Sequence, residues 1–196
     1  MSGRAPNFDA VYTECYSRIV RYLARLVGSD EAEDVSQEVF CKISRSLGEF
    51  RGESSLSTWV YRIATTTAMD RLRSAEHRAA LRSTPIEGGE ACGADPGASA
   101  EHQAIRAEMS DCIQGFLKEL PESYRTVLVL SDMEGLKNAE VAEVLGVTPG
   151  TVKIRLHRAR ARFKKSLESH CSFYRDRDNT ILCDRKIEAG PAEDPS

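Results

Sequence analysis

Phe8, Val11, Tyr12, Cys15, Ile19, Tyr22, Leu23 and Leu26 follow one another at steps of mostly three and four, with polar residues between them. That spacing lays one apolar stripe along a helix, so residues 8–27 are expected to be helical, with Gly28 as the stop. A second helix follows at once. Asp30 and Glu33 form a capping pair, Glu31 and Asp34 add the negative charge that a helix N-terminus favours, and Val35, Val39, Ile43 and Leu47 carry the apolar face to Gly48. Past the polar loop GEFRGESSLS, a third helix is expected from near Leu56 through Arg73, closing a compact helical unit around Ser83.

The pattern then breaks. Thr84–Ser99 holds four glycines, two prolines, three acids and no base, a composition suited to a flexible linker. Helical spacing resumes with Ile105, Met109, Cys112, Ile113, Phe116, Leu117 and Leu120, and Pro121 opens a further helix through Leu130. Val141, Ala142 and Leu145 give the next helix its apolar face, and Gly146 turns the chain where a Cβ would crowd. Thr148 as N-cap and Pro149 as first helical residue start another, docked through Val152, Leu156, Ala159 and Phe163. The fold class is therefore all-α: two small helical domains, 8–83 and 100–168, joined by the acidic linker 84–99. In the C-terminal extension 169–196, residues 170–186 alternate around a DRDN turn and predict a short hairpin; residues 187–196 read as disordered.

Charge changes the picture at one place. From Thr151 to Lys165 there are seven basic residues and no acid, in a chain of net charge −3. A helix-turn-helix with a cationic second helix suits the major groove, with small residues leading and cations facing phosphates and base edges. Residues 100–170 nevertheless balance eleven bases with ten acids, so this unit should bind duplex weakly on its own and work within a larger complex. A stand-alone helix-turn-helix regulator is the alternative; it requires tight, salt-sensitive duplex binding without a partner. An enzyme would need a catalytic cluster in 8–83. The only acids that cluster there, Asp30 to Glu38, have no histidine near in sequence and serve better as helix-capping charge. No cofactor is expected, and with no apolar run of membrane length and no leader-like start, a cytoplasmic protein is.

The six cysteines form no CxxC pair. Cys15, Cys41 and Cys112 fall on apolar helical positions and read as small core residues. His170, Cys171 and Cys183, with Asp184 or His157, are weak zinc candidates at a spacing that fits no standard site. A redox pair, or two thiols simply packed against the second domain, are the other readings.

Five segments in order, AEDVSQEVF (32–40), FRGESSLSTWVYRIA (50–64), MDRLRS (69–74), LPESYRTVLVL (120–130) and GTVKIRLHRAR (150–160), resemble regions 2 and 4 of the extracytoplasmic-function sigma factors of the sigma-70 family. The resemblance implies an alternative sigma factor that binds core RNA polymerase and directs it to promoter DNA. Asp34, Gln37, Glu38 and Lys42, opposite Val35, Val39 and Ile43, would meet the clamp helices of the largest polymerase subunit. Arg51, Glu53, Ser54 and Ser55 in the loop, with Trp59, Arg62, Thr66 and Arg73 on the third helix, would capture the melted −10 strand, where bases stack on rings and guanidinium groups hold phosphates. Trp59 reads equally as a core residue. Thr65-Thr66-Thr67 stands where relatives carry Arg-Asn after the IA pair, and a threonine cannot charge-pair as arginine does. For the −35 element the resemblance implies Thr148, Gly150, Thr151, Lys153, Ile154 and Arg155 at base edges and Arg158 and Arg162 on phosphates; Ile154 suits a thymine methyl or a buried edge. The linker acids Glu87, Glu90 and Asp95 would mimic RNA charge, or the linker is a passive tether. An anti-sigma factor is an expected partner.

Overall fold

The computed structural model describes residues 7–81, 112–175 and 181–186. The linker, Ile105, Met109, the hairpin turn and residues 187–196 lie outside them.

Helix α1 spans Phe8–Val27, with the Asn7 side chain accepting the Asp9 N–H, and ends at Gly28, whose φ of +97° suits a residue without a Cβ. Helix α2 begins directly at Ser29 and runs to Ser46, followed by a single 3₁₀ turn at Leu47–Glu49. The expected Asp30–Glu33 capping pair is not made. No side chain caps α2, and the Glu33 carboxylate instead accepts the Tyr16 hydroxyl at 2.6 Å. Helix α3 covers Leu56–Leu81, longer than the expected stop at Arg73.

Tyr22 and Tyr61, 0 % and 2 % exposed, meet edge-on at the centre of this three-helix unit, their ring centroids 5.2 Å apart. The Tyr22 hydroxyl is 2.7 Å from Thr65 Oγ1, which itself donates to the Tyr61 carbonyl at 2.6 Å. Val35, Val39, Ile43 and Leu47 are buried as the spacing predicts, whereas Cys41 is exposed. It is a surface thiol, because its position on α2 lies outside the stripe those four residues define.

In the second half a helical turn over residues 112–118, α4, leads through Pro121 to α5, Glu122–Leu128. The chain then widens into a π turn at Val129–Met133, where the Glu134 N–H reaches back to the Val129 carbonyl. Helix α6, Asn138–Leu145, and α7, Pro149–His170, form the helix-turn-helix, and Thr148 caps α7 by accepting the Thr151 N–H. Gly146 sits between them at φ +64° with nothing within 4 Å of where a Cβ would stand. Its left-handed backbone, not the expected crowding, selects glycine. Helix α7 passes straight into β1, Cys171–Arg175, which pairs antiparallel with β2, Ile181–Arg185, Phe173 opposite Cys183.

Both halves contribute to one apolar core, and polar groups join them as well. The Glu134 carboxylate, 6 % exposed, takes Arg25 Nη1 at 2.7 Å and the Tyr61 hydroxyl at 2.6 Å. Arg125 Nη1 donates to the Leu26 carbonyl at 2.8 Å. Arg62 donates through Nε and Nη2 to the Glu143 carbonyl, at 3.2 and 2.9 Å. Leu26 and Glu143 each lie in the last turn of a helix, where carbonyls lack an intrahelical partner and a cation is favoured. Glu134→Ala should lower stability by about 2 kcal/mol in urea unfolding, since it strands a buried phenol and a partly buried guanidinium. Gly146→Ala should cost about 1 kcal/mol through its positive φ.

Candidate nucleic-acid interface

The loop after α2 and the first turns of α3 enclose an open cleft of about 970 Å³, lined by Arg51, Glu53, Ser54, Trp59 and Arg62 among others. Gly52, at φ +71°, reverses the chain here. Trp59 is half-buried, tilted against Phe50 at 5.4 Å; it packs against the core and also lines the cleft. Ser55 is spent differently: its Oγ accepts the Thr58 N–H at 3.0 Å and lies 2.7 Å from Thr58 Oγ1, so it caps α3 and does not line the cleft.

Thr66 is exposed, its hydroxyl donating to the Arg62 carbonyl at 2.9 Å, and Arg73 is exposed and paired with Asp70. Neither lines the cleft. Of the three consecutive threonines, Thr65 and Thr67 are buried, and Thr67 Oγ1 also accepts Lys42 Nζ at 3.1 Å. The run thus holds two buried hydroxyls, Thr65 and Thr67, around one exposed threonine, Thr66. Arg62 is the cleft cation already engaged, holding the Glu143 carbonyl, and Glu143 contributes to the cleft wall.

On α7, Val152 and Ala159 are fully buried and Leu156 nearly so, with Phe163 packed beside them. By helical spacing the face diametrically opposite holds Ile154, His157 and Ala161, flanked by Lys153, Arg158 and Lys165. All six are exposed. Ile154, 56 % exposed, is no buried edge. Thr148 and Gly150 are exposed at the start of the helix, and Thr151 is half-buried with its hydroxyl 2.9 Å from Thr148 Oγ1. Arg155 is half-buried and shares its flank with exposed Arg162.

Arg160 is turned elsewhere, gripping Asp132 through Nε and Nη2 at 2.9 and 2.6 Å. His157, which the sequence reading did not place toward DNA, is exposed on the face of Ile154. The signal was present, since it lies three residues after Ile154 on the same face.

On α2, Asp34, Gln37 and Glu38 are exposed on one side. Lys42 is half-buried, held by Glu38 at 2.7 Å and by Thr67, which places it at the α2–α3 seam. In the tail, His170 Nδ1 lies 2.9 Å from both Ser169 Oγ and the Ser166 carbonyl. Among the described residues no three His, Cys, Asp or Glu side chains converge as metal ligands would. No helix among the described residues is long and apolar enough to cross a membrane.

The sigma-70 region 2 model matches residues 11–78, and the sigma-70 region 4 model matches residues 110–163. The chain is 35% identical over 171 residues to the RNA polymerase sigma-H factor of Pseudomonas aeruginosa, covering 85% of this chain and 89% of that protein. The chain belongs to the extracytoplasmic-function sigma factors. It is likewise 35% identical over 166 residues to the ECF sigma factor SigW of Bacillus subtilis, covering 81% and 83% of the two chains. In fold it is similar to the sigma factor RpoE of Bartonella quintana, solved with the anti-sigma factor NepR, at a TM-score of 0.67 and 20% identity over 82% of this chain and 96% of that one. As an alternative sigma factor the chain directs RNA polymerase to promoters. The α7 geometry separates its cations. Arg158→Ala should weaken duplex binding by region 4 and lower its salt dependence by about one counterion, while Arg160→Ala leaves both unchanged in a salt-titrated fluorescence anisotropy measurement.

Proposed function

We propose that residues 8–83 form a region 2 that docks on core polymerase and holds the melted −10 strand, and that residues 100–168 form a region 4 that reads the −35 element. The carrying observation is the cleft in which Trp59, Arg51, Glu53, Ser54 and Arg62 meet beside the start of α3. An aromatic ring lining the cleft, with guanidinium groups around it, suits an unpaired base and its phosphates. Ser55 holds the loop by capping α3, and Thr66 and Arg73 extend the exposed surface of the same helix beyond the cleft.

Lys153, Ile154, His157 and Arg158 are the base-facing group on α7, with Thr148, Gly150 and Thr151 at its leading end and Arg155 and Arg162 along one flank. An exposed isoleucine methyl there suits a thymine methyl. Asp34, Gln37 and Glu38 are the α2 surface for the polymerase clamp helices, and Lys42 positions that surface from the seam with α3. The protein acts as an initiation factor in the cytoplasm, the nucleotide chemistry belonging to the polymerase, and is restrained by an anti-sigma factor. Binding a strand in the cleft requires Arg62 to release Glu143, so the DNA-engaged form has its two halves moved apart.

Run-off transcription on fragmented genomic DNA with bacterial core polymerase tests this reading. Added protein should create new start sites sharing two spaced elements. Trp59→Ala should reduce open-complex formation roughly tenfold or more, the stacking loss for one base, while leaving core binding intact. Tight duplex binding without core binding would instead favour a free-standing regulator.

A further inference from the structure

The cleft beside Trp59 is walled from both halves of the chain. Phe50, Arg51, Trp59 and Arg62 belong to the first half, whereas Glu143 stands on α6 of the second. Arg62 gives two N–H groups to the Glu143 carbonyl, at 3.2 and 2.9 Å, and its Nη2 also lies 3.5 Å from the Glu143 carboxylate. A guanidinium fork on oxygen with negative charge beside it is the arrangement that Arg62 would make with a phosphate. In this closed form Glu143 holds the place of a strand's backbone.

That contact does not keep the halves together unaided. Its two side chains are 48 % and 38 % exposed, and a pair so open to water is weak. The stronger restraint lies elsewhere on the same seam. The Glu134 carboxylate, nearly buried, pairs with Arg25 at 2.7 Å and accepts the Tyr61 hydroxyl at 2.6 Å. Arg18 adds to the group: its Nη2 donates to the same hydroxyl at 3.3 Å, and its guanidinium carbon stands 5.8 Å from the Tyr61 ring centroid. Two cations and a phenol from α1 and α3 thus gather around one carboxylate of the second half. Arg125, donating to the Leu26 carbonyl at 2.8 Å, ties the same two halves at another point. Arg18, Arg25, Tyr61, Arg125 and Glu134 do not line the cleft.

We propose that these contacts form an autoinhibitory latch. The Glu134 cluster keeps the halves closed, and closure holds Glu143 against Arg62, so that a single strand is kept out of the cleft. The proposal rests on the reading of the cleft given above. Latch and cleft use different residues, so loosening the first leaves the chemistry of the second intact. A strand binds a free chain only through the fraction that is open, and its apparent affinity is lowered by that fraction.

The full chain is titrated against a short fluorescein-labelled oligothymidylate, since stacking on a ring tolerates any base, with anisotropy as the readout. Arg25→Gln and Glu134→Gln change the net charge in opposite directions, so a gain shared by both does not come from charge. Each should tighten binding about tenfold, the change expected where the open form is a minority of ~10 % in the unaltered chain. Small-angle X-ray scattering should show a larger radius of gyration for both. If circular dichroism shows that Glu134→Gln has lost its helices, Arg25→Gln, altered at a partly exposed group, carries the test. Adding Trp59→Ala to Arg25→Gln should cancel the gain. Folded variants that bind no more tightly than the unaltered chain, while Trp59→Ala still weakens binding, would overturn the latch and leave the cleft reading standing. A gain without expansion would also overturn the latch. A gain that survives Trp59→Ala would overturn both, because the strand would then lie outside the cleft.

Discussion

A carboxylate with little access to water has to be paid in hydrogen bonds, and Glu134 is the carboxylate around which the two halves of this sigma factor are arranged. It takes a guanidinium from α1 and a phenol from α3 while sitting on the loop after the π turn of the other half. Ion pairs of this kind add little net stability, because desolvating the charges offsets their attraction. They do select one register of contact, since any slip leaves a buried charge unmatched. Burial, and then the same carboxylate, keep the Tyr61 hydroxyl protonated well above the ordinary phenol range, so the donor side of that bond is secure.

Around Glu134, arginines complete helix ends that belong to the opposite half. Arg125 reaches the last turn of α1, and Arg62 the last turn of α6. Each satisfies carbonyls that a helix cannot satisfy itself. Such contacts are directional, and they lie beside an apolar core to which both halves contribute buried residues. Arg62 shows the consequence. On the function proposed above, one guanidinium would serve either the interdomain contact or a nucleic acid strand, so closing the halves and occupying the cleft would compete for the same donor.

Within the second half, position on α7 decides what each cation does. Arg160 is neutralised by Asp132 and steadies the helix against the π turn, whereas Lys153, Arg158 and Lys165 stand on the outward side. Among the described residues the cations of α7 are therefore not equivalent: Arg160 is held by Asp132, whereas Lys153, Arg158 and Lys165 are exposed. That distribution matches a subunit whose DNA affinity is supplemented by a larger assembly, because weak duplex binding alone still delivers orientation.

Helices α1, α2 and α7, the helix-turn-helix with its Thr148 cap and Gly146 turn, the hairpin and the two-part family pattern were all set by the sequence alone. Each depends on local spacing, on a cap or on a residue's own φ preference, which neighbours in sequence suffice to express. Tertiary structure decided the rest. Glu33 left its expected cap for Tyr16, and Ser55 was claimed by α3. Thr65 and Thr67 went inside, and Arg160 turned to Asp132. In every one of these a polar group had several chemically equivalent partners, and the choice fell to whichever lay within about 3–4 Å once the helices had packed. Periodicity tells which face is apolar; it carries no record of which distant donor arrives at a given acceptor.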